Sequence, residues 1–262
     1  MNFSRQIIAV LKEAKSLFFD KNQNHFETLD LKGLNQLVTN IDVAVEQFLV
    51  TEFLKIIPDS SFIAEENTAP STISEYRWII DPVDGTTNFV HKVPAYAISV
   101  ALQKNEKTIA GFVYEITRDE LFWADENTSA MLNDKPISVT NTALFEDTLM
   151  ATGFPYYEFE KLPEYIKVLE FCMKNTRGVR RLGSAATDLA YVACGRFDGF
   201  FEVGLSPWDV AAGAYIVQRA GGEVFDFKDG DNYIFGGQIV AGNAHITKQL
   251  SMKIRTYFGE WV

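Results

Sequence analysis

Several things are scarce in this 262-residue chain, and each scarcity excludes something. There are only two cysteines, Cys172 and Cys194. They form no Cys-x-x-Cys pair and no disulfide framework, so reduced thiols in a cytoplasmic protein are expected. Basic residues are outnumbered, 24 Lys and Arg against 35 Asp and Glu, giving a net charge of −11. That balance argues against direct binding to nucleic acid or to an anionic membrane. It also argues against an Arg-lined phosphate site, unless cations invert the local field. No apolar run approaches the roughly 18 residues of a membrane span. Arg5, Lys12, Glu13 and Lys15 interrupt the first apolar stretch, so no signal-peptide core is expected there. The three histidines, His25, His91 and His245, lack the spacing of zinc ligands and read as structural. Neither an internal repeat nor a low-complexity segment stands out.

What is present is a chain that is 47% hydrophobic, with 21 Phe, ample for a sizeable core. Ile7, Leu11, Ala14 and Phe18 predict an amphipathic first helix. Thr39 with Asp42 marks a capping box opening a second helix, carried by Val45, Leu49 and Phe53. A polar stretch, 21–36, separates them. Short strands are expected at Ser61–Ala64 and Trp78–Ile80. Four more, from Tyr96 to Leu132, have the spacing of an antiparallel meander. Beyond about residue 145 helices and strands alternate. Ser184 caps one helix, and Ser206-Pro207-Trp208-Asp209 starts another, with serine as N-cap and proline at the first helical position. The expected division is an α+β half, 1–145, and an α/β half, 146–262.

The chemistry centres on Trp78-Ile79-Ile80-Asp81-Pro82-Val83-Asp84-Gly85-Thr86-Thr87-Asn88-Phe89. An apolar strand ends in two carboxylates, ligands suited to a hard cation. A tight turn into a helix start follows, with backbone N–H groups suited to a phosphate. Acidic turns closed by glycine are also common surface features. Glu65 follows another strand, and Asp209 sits in a first helical turn, where an acid ordinarily just complements the helix dipole. Were the four carboxylates to converge, repulsion and desolvation would require cations between them. Two close metals suit phosphate hydrolysis. A competing pattern, Asp-x-Asp-Gly-Thr of the haloacid dehalogenase phosphatases, uses its first Asp as nucleophile. Here one extra residue separates the acids, which favours water as nucleophile.

The stretch 78–89 resembles the first signature of the inositol monophosphatase family, and Pro207-Trp-Asp-Val-Ala-Ala-Gly213 its second. Gly183-Ser-Ala-Ala, Phe200-Phe-Glu-Val-Gly204 and Ala64-Glu65-Glu66 fall in the family's order, so the likeness runs over about 30 to 258. The resemblance implies a layered αβαβα sandwich of the sugar phosphatase type and a homodimer. It implies two to three Mg²⁺ ions, with Li⁺ inhibitory. Glu65, Asp81 and the Val83 carbonyl would hold the first ion and Asp81, Asp84 and Asp209 the second. A third would lean on Glu65, with Asp42 on a mobile loop nearby. Glu65 and Thr86 would orient the attacking water, and Asp84 joins them in the catalytic set. Gly85 and Thr86 would cradle the phosphate, while Gly183, Ser184, Ala185 and Glu202 would contact the alcohol. Gln36 stands where the family often has Asp, and the loop Lys32 aligns only with a one-residue gap.

The implied activity is hydrolysis of a small phosphomonoester, foremost myo-inositol 1-phosphate, by in-line attack of a metal-activated water. Alternatives are fructose-1,6-bisphosphatase, NADP(H), histidinol-phosphate or 3′-phosphoadenosine 5′-phosphate phosphatase activity. A further one is a mainly non-catalytic protein-binding role in an RNA-processing complex.

Overall fold

The computed structural model describes residues 3–19, 28–33, 36–69, 74–155 and 159–259. The first helix, α1 (Ser4–Ala14), buries Ile7, Leu11 and Ala14 on one stripe, and a 3-10 turn over Lys15–Phe19 adds Phe18. An antiparallel pair, β1 (Thr28–Gly33) and β2 (Gln36–Thr39), begins inside the expected polar stretch and runs on to the capping residue, with Leu29 and Leu31 alternating with Thr28, Asp30 and Lys32 in its first strand. Helix α2 (Asn40–Ile56) starts at the expected capping box: Thr39 accepts from the helix backbone, and Asp42 accepts from the Thr39 N–H at 2.9 Å.

Strands β3 (Ser61–Ala64) and β4 (Tyr76–Asp84) pair in parallel. After the short α3 (Thr86–Val90) come β5 (Ala97–Lys104), β6 (Lys107–Glu115), β7 (Glu120–Asp125), β8 (Thr128–Leu132) and β9 (Lys135–Pro136). They extend β3 and β4, in sequence order, into a seven-stranded sheet that is antiparallel from β4 onward, the expected meander. The second sheet draws on β10 (Leu149–Thr152), β11 (Gly178–Arg180), β12 (Gly199–Val203), β13 (Glu223–Phe225) and β14 (Gln238–Gly242), in the order β11-β10-β12-β14-β13. Between its strands run α4 (Leu162–Asn175), α5 (Ala185–Ala193) and α6 (Pro207–Arg219), and α7 (Ala244–Phe258) follows.

Side-chain alternation along β4 explains the layering. Trp78 and Ile80 point to the face covered by α1 and α2, where they pack with Leu11, Val45, Leu49 and Phe53. Ile79, between them, points to the other face and joins Ala101, Val113 and Phe122 against α5 and α6. Those two helices also meet Ala151, Phe200 and Ile239 of the second sheet. Its far face packs Met150, Phe201 and Val240 against Tyr165 and Val168 of α4 and Ile246, Leu250 and Ile254 of α7. The result is helices, sheet, helices, sheet, helices: the expected αβαβα sandwich. The central layer is tight, since a Cβ on Gly213 of α6 would lie 2.6 Å from the Leu189 Cβ of α5. Among the described residues no helix is long and apolar enough to cross a membrane.

Candidate active site

In a regular strand, residues three positions apart point to opposite faces. Asp81 and Asp84 do not, because β4 is bulged between them. Asp81 pairs with Ser99 and Asp84 with Ala97, so three steps on β4 span two on β5. Gly85 then turns the chain at φ +93°, in the left-handed region, into α3. A Cβ there would also sit 3.1 Å from the carbonyl oxygens of Ala95 and Gly183. Asp209 arrives from the central layer. It closes the capping box of α6, its Oδ2 accepting from the Ser206 N–H at 2.6 Å. The Ser99 hydroxyl ties that turn to the sheet by donating to the Trp208 carbonyl at 2.9 Å.

These placements bring one carboxylate oxygen each of Asp81, Asp84 and Asp209 within 4.8 Å of one another. Burial pushes Asp81 well above the usual carboxylate range, and the neighbouring charge of Glu65, then of Asp84, Asp209 and Asp42, pushes it further. Burial likewise lifts Asp84 to about 6, opposed by hydrogen bonds from the Ser184 hydroxyl at 2.6 Å and the Ala186 N–H at 2.7 Å. Asp209 rises to about 7 through burial and the charge of Asp84. Glu65, at the end of β3, falls outside the set of three but is the largest charge acting on Asp81. The site therefore consists of oxygen donors whose charged forms are disfavoured by burial and by one another. This donor set fits a hard divalent cation and offers nothing to a thiophilic one.

Around this core stand the other expected residues. The Thr86 hydroxyl lies 2.9 Å from both Asp42 Oδ1 and the Val83 carbonyl oxygen, and its single proton serves one at a time. Burial raises Asp42 against its hydrogen bonds to Thr39 and Thr86. Ser184 caps α5 by accepting from the Thr187 N–H, which puts Gly183, Ser184 and Ala185 beside Asp84. Asn88 links this loop to α3 by donating to the carbonyls of Leu182 and Ala95 at 2.8 and 2.7 Å. Glu202, on β12, is buried and pushed far up, first by burial, and by Asp209 and Asp84 against the pull of Arg181. It is thus electrostatically part of the same cluster.

His91 and His245 are exposed and belong to no acidic cluster among the described residues. His25 and the side chain of Lys32 lie outside the described residues. Sequence reasoning missed four residues here: Glu46, Gly153, Arg181 and Asp188. Glu46 was detectable, since Asp42 and Glu46 are one turn apart on the face that also carries Val45 and Leu49. Asp188, fully buried in the otherwise apolar α5, was detectable in the same way.

The chain matches the model of the inositol monophosphatase family over residues 1–259. It is 41% identical to the Nus factor SuhB of Escherichia coli over 86% of this chain and 84% of that protein. To the inositol-1-monophosphatase of Mesorhizobium japonicum it is 38% identical, over 94% of this chain and 93% of that one. The crystal structure of the extragenic suppressor protein SuhB from Bartonella henselae superposes with a TM-score of 0.90 at 35% identity, covering 97% of this chain and 99% of the other. A carboxylate cluster fit for a divalent cation and a family match along almost the whole chain lead to one conclusion: this protein belongs to the inositol monophosphatase family and is a phosphomonoesterase.

Proposed function

We propose that the protein hydrolyses small phosphomonoesters of polyhydroxylated alcohols, myo-inositol 1-phosphate foremost, with Mg²⁺ as its cation. The observation that carries this reading is the convergence of Asp81, Asp84 and Asp209, drawn from two distant segments, to within 4.8 Å. Glu65, Asp81 and the Val83 carbonyl would hold one ion and Asp81, Asp84 and Asp209 a second, with a third leaning on Glu65. Such ions, when bound, supply Lewis-acid activation of water and stabilisation of the leaving oxygen.

The chain's own residues do the rest. The Gly85 and Thr86 amides hold the phosphate at the turn. The Thr86 hydroxyl donates to Asp42 Oδ1 at 2.9 Å and, with Glu65, orients the attacking water; as it takes the water's proton it passes its own to the Asp42 carboxylate. Gly183, Ser184 and Ala185 wall the alcohol side, and Glu202 accepts hydrogen bonds from its hydroxyls. A polyol satisfies a buried carboxylate of this kind and a nucleobase face does not. The same reading includes a homodimer, Li⁺ inhibition, a cytoplasmic location and a functional division into 1–145 and 146–262.

Phosphate release from inositol, sugar, histidinol and nucleotide monophosphates, with Mg²⁺ and with or without Li⁺, tests the assignment. The expected result is fastest turnover of inositol 1-phosphate, suppressed by Li⁺. Faster turnover of a nucleotide would overturn the substrate class.

A second reading is favoured by the name Nus factor carried by relatives such as the Escherichia coli protein. In it the chain binds a protein partner independently of catalysis. Rescue of a deletion phenotype by Asp84→Asn would support it, and failure of that rescue would count against it.

A further inference from the structure

Two acids one turn apart on α2 reach the site from behind. Asp42 meets the Thr86 hydroxyl, as described. Glu46 has no part in the reading above, yet it is a completely buried carboxylate, 0% exposed. Among the described residues its hydrogen-bond partners all belong to the loop that follows β3. Oε2 accepts from the Glu66 N–H at 2.8 Å, and Oε1 accepts from both the Thr68 N–H and the Thr68 hydroxyl, each at 2.8 Å. Asn67, between those donors, has φ +53°, a left-handed conformation that a non-glycine residue adopts at a cost. N–H groups on either side of a left-handed residue make a concave anion seat, and Glu46 supplies the anion from within the protein.

Glu65 is the residue immediately before this seat. Its own N–H donates to the Ile80 carbonyl at 3.3 Å, so its backbone is tied on one side to the residue preceding Asp81. On the other side it is tied to Glu46. One helix face thereby fixes three things relative to each other: the Glu65 loop, the Asp81 strand end and the Thr86 hydroxyl.

We propose that Glu46 is a positioning residue for Glu65, setting how close the Glu65 carboxylate comes to the Asp81–Asp84–Asp209 cluster and so the affinity of the first cation. The proposal rests on Glu65 being a cation ligand. A purely structural clamp would stabilise the loop and leave cation affinity alone. Glu46→Gln separates the two at nearly constant volume: an amide can keep the Thr68 donors on its oxygen but turns an NH₂ toward the Glu66 N–H.

The experiment uses the full-length protein, stripped of metal, with Mn²⁺ as a spectroscopically visible probe. Mn²⁺ dissociation constants are measured for wild type, Glu65→Gln, Glu46→Gln and Thr68→Val, with metal-free melting temperatures alongside. Glu46→Gln is expected to weaken the same site as Glu65→Gln, by about tenfold. Thr68→Val, which removes one of the three donors, is expected to weaken it by about threefold. If Glu65→Gln weakens a site and Glu46→Gln only lowers the melting temperature, Glu46 is structural and the proposal falls. If Glu46→Gln does not fold, wild-type affinity in Thr68→Val overturns it instead. If Glu65→Gln itself binds as wild type does, the ligand role of Glu65 falls, and the positioning role with it.

Discussion

The Glu202 carboxylate fills the space that a side chain on Gly153 would need. A Cβ on Gly153 would lie 1.8 Å from Glu202 Oε1. The two residues are neighbours across β10 and β12, where Thr152 pairs with Phe201. The backbone has little room to retreat, because the buried Tyr165 hydroxyl donates to the Gly153 carbonyl at 2.6 Å. Replacing this glycine must therefore move the Glu202 carboxylate. Gly153→Ala is expected to raise KM for inositol 1-phosphate by about tenfold, the loss of one charge-assisted hydrogen bond. The Mg²⁺ requirement should be untouched, since the cation ligands are elsewhere. Steady-state kinetics over substrate and metal concentrations would separate the two, and an unchanged KM would remove Glu202 from the substrate contacts.

That relationship was invisible in the sequence, and the reason is general. Local pattern revealed the helices, the meander, the capping box at Thr39 and the Ser206-Pro207 helix start, because each is coded within a few residues. The apolar run Trp78-Ile79-Ile80 was legible as a strand, and its lack of alternation fits the burial of β4 on both faces. The carboxylates of β4 were legible as types but not as a pair. Only the bulge turns Asp81 and Asp84 to one face, and no local signal separates a bulge from a regular strand here. Asp209 was legible as an acid in a first helical turn, while its meeting with Asp84 depends on the packing of α6 between two sheets. Glu46 was legible as an acid on the buried face of α2, but what it does, like what Gly153 does, was not. Their roles lie in contacts 20 and 49 positions away. The β1–β2 pair was missed although Leu29 and Leu31 alternate with Thr28, Asp30 and Lys32, because two apolar residues in a polar stretch are too short a run to mark a strand.

The crowded acids make stability depend on pH in an unusual direction. Asp209 titrates near 7 in the fold and near 4 when unfolded. Between those values the folded protein binds more protons than the unfolded chain, so stability present at low pH is lost as pH rises from about 4 to about 7. Chelator-treated protein should lose on the order of 4 kcal/mol from this group across that window. Asp209→Asn should show a shallower decline, because its amide does not ionise but its oxygen can still cap Ser206. Added Mg²⁺ should flatten the wild-type decline, because a bound cation offsets the crowded charge. Parallel melting curves for the two proteins at pH 5 and pH 8, without metal, would refute the electrostatic picture.

Asp84→Asn should separate catalysis from folding. Asp84 accepts from both the Ser184 hydroxyl and the Ala186 N–H through one oxygen, Oδ2. An asparagine can keep both bonds through its own oxygen and turn its amide nitrogen toward Asp81 and Asp209, where a cation ligand is needed. Phosphate release is expected to fall by about a thousandfold or more, the order seen when a group that stabilises transition-state charge is removed. Metal-free stability should be kept or raised, because one like charge has left the cluster. Turnover within a few-fold of wild type would sink the metal assignment.

Thr86 offers the cleaner test of proton transfer, because Asp42 does two jobs. Its Oδ2 closes the capping box of α2 with Thr39, while its Oδ1 faces Thr86. Asp42→Asn would disturb both, at about 1 kcal/mol for the cap alone. Thr86→Val keeps the shape and leaves the cap in place, removing only the hydroxyl that sits between Asp42 and the Val83 carbonyl. Loss of a positioned acid–base partner costs roughly a hundredfold in kcat. Thr86→Ser, which restores the oxygen, should recover most of that loss. Burial holds Asp42 above the usual carboxylate range, so the acid limb of the wild-type kcat profile should carry its ionisation. That limb should weaken in Thr86→Val and return in Thr86→Ser. A valine variant that keeps both the rate and the acid limb would show that the water gives up its proton elsewhere.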